Sequence, residues 1–318
     1  MATQSMNLYF QLARQALNVG VKVLGGVEGS VIAVPRFICA DVPETLRRLG
    51  YEVAYYDTTP DLQPDFHTSA PRCDYLVAVN YFGFPVDIEK LTSQWNIPYS
   101  RIIEDNAHGQ YSRDSQGRLL GCRTRVGFTS FRKTLRTIDG GILHVNDREL
   151  ESLLGTEALV PQARSSSPGL LFRKLANQIQ RTTHLPVMNL ARSIKRTASR
   201  GEVASFDPLS ASPTAVSQAS LDRLQSTDAE SEVLRRRGKY ASTAPTIDSC
   251  GGRLMFPNLP LGVSPYGIPF IATQDTANRI QRALWWNGLE VFSWPDLPRD
   301  CGQISGWQRQ VRIVSFLE

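Results

Sequence analysis

Two segments of the 318-residue chain carry residues whose types and spacing can do covalent chemistry. In "VGFTSFRKTLRTIDGGIL", Val126 to Leu143, Arg132 and Lys133 stand side by side after an apolar, strand-like run, and the segment closes on Gly140 and Gly141. A lysine at the mouth of a core strand is either a surface anchor or a nucleophile. The nucleophile must be a neutral amine, so its pKa has to fall through burial or a neighbouring cation. Neighbours on an extended segment point opposite ways, so Arg132 is not expected to cause that shift. In "IIEDNAHGQ", Glu104 and Asp105 end an apolar strand and His108 follows in the loop. An acid at a strand end commonly caps the next turn. Paired with a downstream lysine, it has a second use. A lysine that forms a Schiff base with pyridoxal phosphate needs an acid elsewhere, on a rigid element, to keep the pyridine nitrogen protonated.

The elements that must position these residues are legible in the hydrophobic spacing. Leu8, Leu12, Ala16 and Leu17 predict a helix over 8–18. "GSVIAVP", "YEVAYYD", "CDYLVAVNYFG" and "SRIIEDNAH" predict strands, with helices at "ADVPETLRRLG", ending in Gly50, and "VDIEKLTSQW". Strands alternating with helices at this pace predict an α/β fold, a mostly parallel sheet with helices on its faces. Active sites in such sheets lie beyond the carboxyl ends of the strands, where Asn80, Asp105, His108 and the Ser130–Lys133 stretch fall. After about Leu154 the chain becomes rich in Ser, Arg, Gln and Thr, with helical patches such as "LLFRKLANQI". "PYGIPFIA", the helix "TQDTANRIQRALWWNG" bounded by Gly288, and "LEVFSW" then restore a compact pattern. The expected organisation is a large α/β domain over 1–154, a connecting region over 155–227 and a smaller α+β domain over 228–318.

Composition narrows the function classes. Hydrophobic residues make up 42% and charged residues 20%, enough for a sizeable core. The net charge of +5 is spread along the chain, densest from Arg173 to Arg200. Without a binding motif it reads as a solvated face, and no nucleic-acid partner is expected. Cys39, Cys73, Cys122, Cys250 and Cys301 are odd in number and dispersed. They fit neither a disulfide framework nor a zinc site, and no metal is expected. A reducing cytoplasm is the expected compartment. The first residues lack a signal-peptide pattern, and no run of about eighteen apolar residues spans a membrane.

"VIAVPRFICADVPETLRRLGYEVAYYD", "IIEDNAHGQ", "SFRKTLRTIDGG" and "PYGIPFIA" followed by "RALWWNGLEVFSWPDLP" together resemble the DegT/DnrJ/StrS family of pyridoxal-phosphate aminotransferases, many of which act on keto-sugar nucleotides. The resemblance covers most of the chain in order and is weakest from about 155 to 225. It implies the fold-type-I pyridoxal-phosphate transferase architecture and a homodimer with the site at the subunit interface. Lys133 matches the Schiff-base lysine, with its distance to Gly140 and Gly141 kept. Asp105 matches the partner of the pyridine nitrogen, His108 a position near the cofactor ring, and Ser130 a serine that helps hold the phosphate. Ser5 matches the start of the phosphate-binding turn before the first helix.

The chain departs from the family at several of these places. Met6 stands where the phosphate turn usually has glycine. Cys39 stands where an aromatic ring usually stacks on the cofactor, with Phe37 two residues earlier. The loop between Ser130 and Lys133 is short, no Asn-Tyr-Arg signature is visible around 200–215, and the family normally extends further at both ends. The resemblance implies an aminotransferase that takes an amino group from an amino acid, glutamate in much of the family, and passes it to a ketone or aldehyde acceptor. The alternative is a non-catalytic binding or regulatory partner with a degraded phosphate cup. A dehydratase of the same family is disfavoured, since those replace the lysine with histidine.

Overall fold

The computed structural model describes residues 6–154 and 213–316. Ser5, the "LLFRKLANQI" patch and most of the 200–215 stretch lie outside the described residues.

Five short apolar runs become parallel strands: β2 (Val31–Pro35), β3 (Glu52–Tyr56), β4 (Tyr75–Val79), β5 (Ile102–Asn106) and β6 (Val126–Thr129). They lie in the order β3-β2-β4-β5-β6. Next to β6, β7 (Gly141–Val145) runs antiparallel, and β1 (Met6–Phe10) pairs antiparallel with β7 to complete seven strands. Strand periodicity sorts the apolar side chains between two faces. On one face Ala33, Leu76, Ala78 and Ile102 pack with Ile88 and Leu91 of α3 (Ile88–Gln94) and with Trp95. On the other, Ile32, Val34, Val77, Val79 and Ile103 pack with Leu17 and Val21 of α1 (Ala13–Val23) and Leu46 of α2 (Asp41–Arg48). Burial on both faces accounts for the nearly unbroken apolar runs.

The expected helix over 8–18 is corrected. Its first part is β1, where Leu8 sits opposite Leu143 and Met6 opposite Val145, and the helix begins only at Ala13. A second correction concerns "CDYLVAVNYFG". The strand ends at Val79, and Tyr81–Gly83 turn as a single tight helical turn with Phe82 at φ 56°.

A separate antiparallel sheet follows, with β8 (Arg253–Leu254), β9 (Gly267–Ile271), β10 (Val291–Ser293) and β11 (Val311–Ser315) in the order β10-β11-β9-β8. It packs with the long helix α7 (Ala229–Ser249) and with α8 (Gln274–Leu284), whose first turn is capped by Thr273 accepting the N–H of Thr276 at 3.3 Å. Such a cap is worth about 1 kcal/mol. Gly288, at φ 70°, ends the turn after α8 in the left-handed region. The shorter helices are α4 (Arg132–Leu135), α5 (Arg148–Leu153), α6 (Gln218–Gln225) and α9 (Gly306–Arg309). Among the described residues no helix is long and apolar enough to cross a membrane.

Candidate active site

The carboxyl ends of β2, β4, β5 and β6 carry the residues singled out from the sequence. Beyond β6 the chain does not stay extended, as was expected for Arg132 and Lys133. Lys133 N–H bonds the Ser130 carbonyl at 3.1 Å and Leu135 N–H bonds that of Phe131 at 2.8 Å, giving one helical turn. Arg136, at φ 54°, ends it. The Gly-Gly pair then fits where no side chain can. A Cβ at Gly140, which sits at φ 144°, would meet the Phe131 ring at 2.4 Å, and one at Gly141 would meet the Ala13 nitrogen at 2.5 Å. Asp139, buried, accepts the Ser217 N–H at 3.1 Å and its hydroxyl at 2.8 Å, which pins the loop to the segment that follows the undescribed region.

The turn brings the amine of Lys133 to 3.2 Å from Nε2 of His108. Burial holds the Lys133 pKa below the usual lysine range, opposed by the nearby Asp105 and Cys39 and aided to a smaller degree by Arg132. Arg132 therefore does contribute, because the two side chains sit on a helical turn rather than on opposite sides of a strand. His108 is buried and its pKa is pushed well down, by burial first and by the Lys133 charge second, so its imidazole is neutral. Its ring stacks on Tyr266 at 4.7 Å and lies parallel to Phe82 at 5.7 Å, with Trp294 edge-on at 5.6 Å.

Asp105, at the end of β5, is almost wholly buried. Its Oδ1 accepts the Ala107 N–H at 2.8 Å. Burial raises its pKa to about 6, against the opposing pull of that hydrogen bond and of Lys133. A carboxyl raised in this way has more need of positive charge than its surroundings meet. Glu104 beside it has a different task. It points to the other face, where Arg123 donates Nε to Oε1 at 2.8 Å and its backbone N–H to Oε2 at 2.9 Å, while Asn80 donates to Oε1 at 2.8 Å. This buried, fully bonded cluster holds β5 to the loop after β4 and leaves Asp105 as the acid facing Lys133.

The remaining expected residues fall into two groups. Ser130 is buried beside the turn, 3.4 Å from the Gly140 carbonyl, and Cys39 lies in the loop between β2 and α2, near enough for Lys133 to influence its thiol. Burial chiefly pushes the Cys39 pKa up. Met6, by contrast, is on β1, seven positions before α1 starts, and Ser5 lies outside the described residues. The expectation that Met6 opens the first helix is corrected. The turn at that place is Gln11–Leu12, followed by Arg14, which pairs with Asp41 at 3.7 Å. Gln11 is bracketed by backbone bonds, giving its N–H to Thr214 at 2.8 Å and accepting that of Gly140 at 2.8 Å. Phe82, Tyr266, Trp294 and Arg14 are site-lining residues that sequence reading missed. The aromatic three come from segments far apart in the chain, within the quoted "CDYLVAVNYFG", "PYGIPFIA" and "LEVFSW".

Residues 10–157 match the DegT/DnrJ/EryC1/StrS aminotransferase family. The fold is similar to 3-amino-5-hydroxybenzoic acid synthase (TM-score 0.66, 16% identity, covering 97% of this chain and 80% of that one). It is also similar to Helicobacter pylori PseC, an aminotransferase involved in the biosynthesis of pseudoaminic acid (0.60, 15%, 97% and 81%). A third match is the sugar aminotransferase CalS13 from Micromonospora echinospora (0.61, 15%, 97% and 82%). At such identities these likenesses speak for the fold alone. Residues 10–157, just under half of the chain, are thus similar to the DegT/DnrJ/EryC1/StrS aminotransferase family, and the solved structures add the likeness of the fold.

Proposed function

We propose that this chain binds pyridoxal phosphate through Lys133 and moves an amino group from an amino acid, glutamate by family resemblance, to a keto-sugar nucleotide acceptor. The observation that carries the reading is the Lys133 amine, lowered in pKa by burial and held 3.2 Å from a neutral His108 with Asp105 nearby. The acceptor class is supported by the family and by the sugar aminotransferases that share the fold.

The residues present fit the cofactor at its ring end. Asp105, raised to about 6, is a buried carboxyl in need of a cationic N–H, which a protonated pyridine nitrogen would provide. At the phosphate end the groups available are Ser130, Arg14 and the start of α1. Bound there, pyridoxal phosphate supplies an electron sink for the pair left when a proton departs from the donor's α-carbon. Lys133 Nζ, as a free neutral amine, would accept the proton that leaves the donor's α-carbon and would give it back when the amino group is passed on. Asp105 would keep the ring nitrogen protonated. His108, held neutral by its aromatic surroundings, orients Nζ and adds no charge beside it. Water is kept from this corner by Phe82, Tyr266 and Trp294.

The same reading includes a homodimer, by family resemblance, and a cytoplasmic location, from the odd and dispersed cysteines. Pyridoxal phosphate added to the purified protein should give a visible absorbance band, and borohydride should then fix a single cofactor mass on Lys133. Lys133→Ala should lose both. A band that survives the substitution, or a label on another lysine, overturns the assignment. A wild-type protein that takes no label moves the weight to the non-catalytic reading.

A further inference from the structure

One fully buried cation plays no part in the chemistry above. Arg236, on α7, is 1% exposed. Its Nη2 donates to the Thr134 carbonyl at 2.8 Å, inside the very turn that carries Lys133. Its Nη1 donates to the Pro265 carbonyl at 3.1 Å and lies 3.4 Å from that of Tyr266. Its Nε bonds Glu232 at 2.7 Å, which balances the charge. Burying a guanidinium is costly unless every donor is met, so four bonds from one side chain mark a built arrangement rather than a passing contact.

The partners of Arg236 form a closed circuit. Thr134 follows Lys133, whose amine touches His108. His108 stacks on Tyr266. The Tyr266 backbone returns to Arg236. One planar fork therefore fixes, from behind, the distance between the turn that bears the lysine and the Pro265–Tyr266 backbone, whose tyrosine ring stacks on the lysine's histidine partner. The Lys133 turn follows β6 and His108 follows β5, its neighbour in the seven-stranded sheet, whereas Tyr266 leads into β9 of the second sheet, so the fork ties the second sheet to the site. The rigidity of the fork matters, because a guanidinium holds two directions at once where an ammonium holds one.

We propose that Arg236 is the positioning residue of the Lys133 site, a clamp that keeps the lysine amine against His108 by tying the Lys133 turn to the Pro265–Tyr266 loop. This rests on the reading of Lys133 as the reactive lysine. Without the clamp the turn relaxes, the amine gains water, and its behaviour returns toward that of an ordinary lysine.

The test measures Lys133 itself, with the cofactor-free protein. The pH dependence of its trinitrophenylation, followed by peptide mass mapping, gives the pH at which half of the amine is reactive. Arg236→Met keeps most of the apolar stem and removes all four bonds. It should move the Lys133 midpoint upward by about one pH unit or more. Arg236→Lys should fall between that variant and wild type. Arg237→Met is the control. Arg237 neighbours Arg236 on α7 and bonds the carbonyls of Pro260 at 2.7 Å and Val263 at 2.9 Å, but not the lysine turn. It should lower the melting temperature without moving the Lys133 midpoint. An unchanged midpoint in both Arg236 variants overturns the clamp, as does an equal movement in Arg237→Met. If Arg236→Met fails to fold, Arg236→Lys decides alone: an unmoved midpoint refutes the proposal. The reagent is independent of pyridoxal phosphate. A wild-type protein that binds no cofactor yet shows the expected midpoints keeps the clamp and loses the aminotransferase reading. One that binds cofactor with no movement in the variants does the reverse.

Discussion

Asp105 should cost the empty protein stability, and the amount follows from its surroundings. Burial raises its pKa from the usual 3.8 to about 6. Between those values the folded protein holds a proton that the unfolded chain has already released. The favourable contribution is complete below about 3.8 and is lost as pH rises through about 6. The separation of about two units corresponds to about 3 kcal/mol at pH 8, at ~1.36 kcal/mol per unit. Asp105→Asn removes the charge, while its carbonyl oxygen can still accept the Ala107 N–H. The cofactor-free variant should therefore be more stable than wild type at pH 8 by up to about 3 kcal/mol, a figure in which the attraction to Lys133 is already included. For a chain of this size that is several degrees in melting temperature. The gap should shrink to roughly half near pH 5 and vanish below the unfolded value. Urea or thermal unfolding of both proteins across that range provides the measurement. Saturating pyridoxal phosphate should stabilise wild type more than the variant, because only wild type has a negative charge to be satisfied. Transamination by the variant should fall by orders of magnitude. A variant no more stable than wild type at pH 8, or a gap that does not narrow on acidification, refutes the reasoning.

Three further outcomes are expected. Gly141→Ala should destabilise the protein by about 3 kcal/mol in urea unfolding, since a methyl there has backbone, not a flexible side chain, at 2.5 Å. Arg123→Met should cost about 3–5 kcal/mol, because Glu104 is left buried without its partner, and Glu104→Gln in the same background should recover part of the loss. Sedimentation at micromolar concentration should find a dimer with and without pyridoxal phosphate; a monomer in both would contradict a site shared between subunits.

The parallel strands were legible because each is an apolar run bounded by turn residues, and a doubly covered strand needs no partner information to be recognised. Asp105 and His108 were legible for the same reason, as polar residues where an apolar run stops. β1 was not. Leu8, Leu12, Ala16 and Leu17 fall at helical spacing, yet Leu8 belongs to a strand whose partner, Leu143, is 135 positions away. Edge pairing of that kind leaves no local period. The Lys133 turn is too short for periodicity to register, and its i→i+3 bonds depend on the left-handed Arg136 that ends it. Arg236 lies among Arg235 and Arg237, and nothing in that run tells which of the three is buried. The aromatic shelf around His108 comes from three loops, so its parts were visible only as isolated hydrophobic residues.

The place of β1 also governs the order in which the molecule can be made. It comes before β2 to β6 in the chain, but its partner β7 is not complete until Val145 is out. The Gln11 N–H waits longer still, for Thr214. Until then a tyrosine and a phenylalanine travel on an unpaired strand, while β2 to β6 can already associate in parallel behind them. A nascent chain interrupted in this interval exposes an adhesive edge to its neighbours. The same delay has a protective side. The lysine loop is closed by Gly140, whose N–H is received by Gln11, and by Asp139, which accepts from Ser217, so these contacts are complete only once Ser217 has been made. Translation thus separates the synthesis of Lys133 from the burial that lowers its pKa.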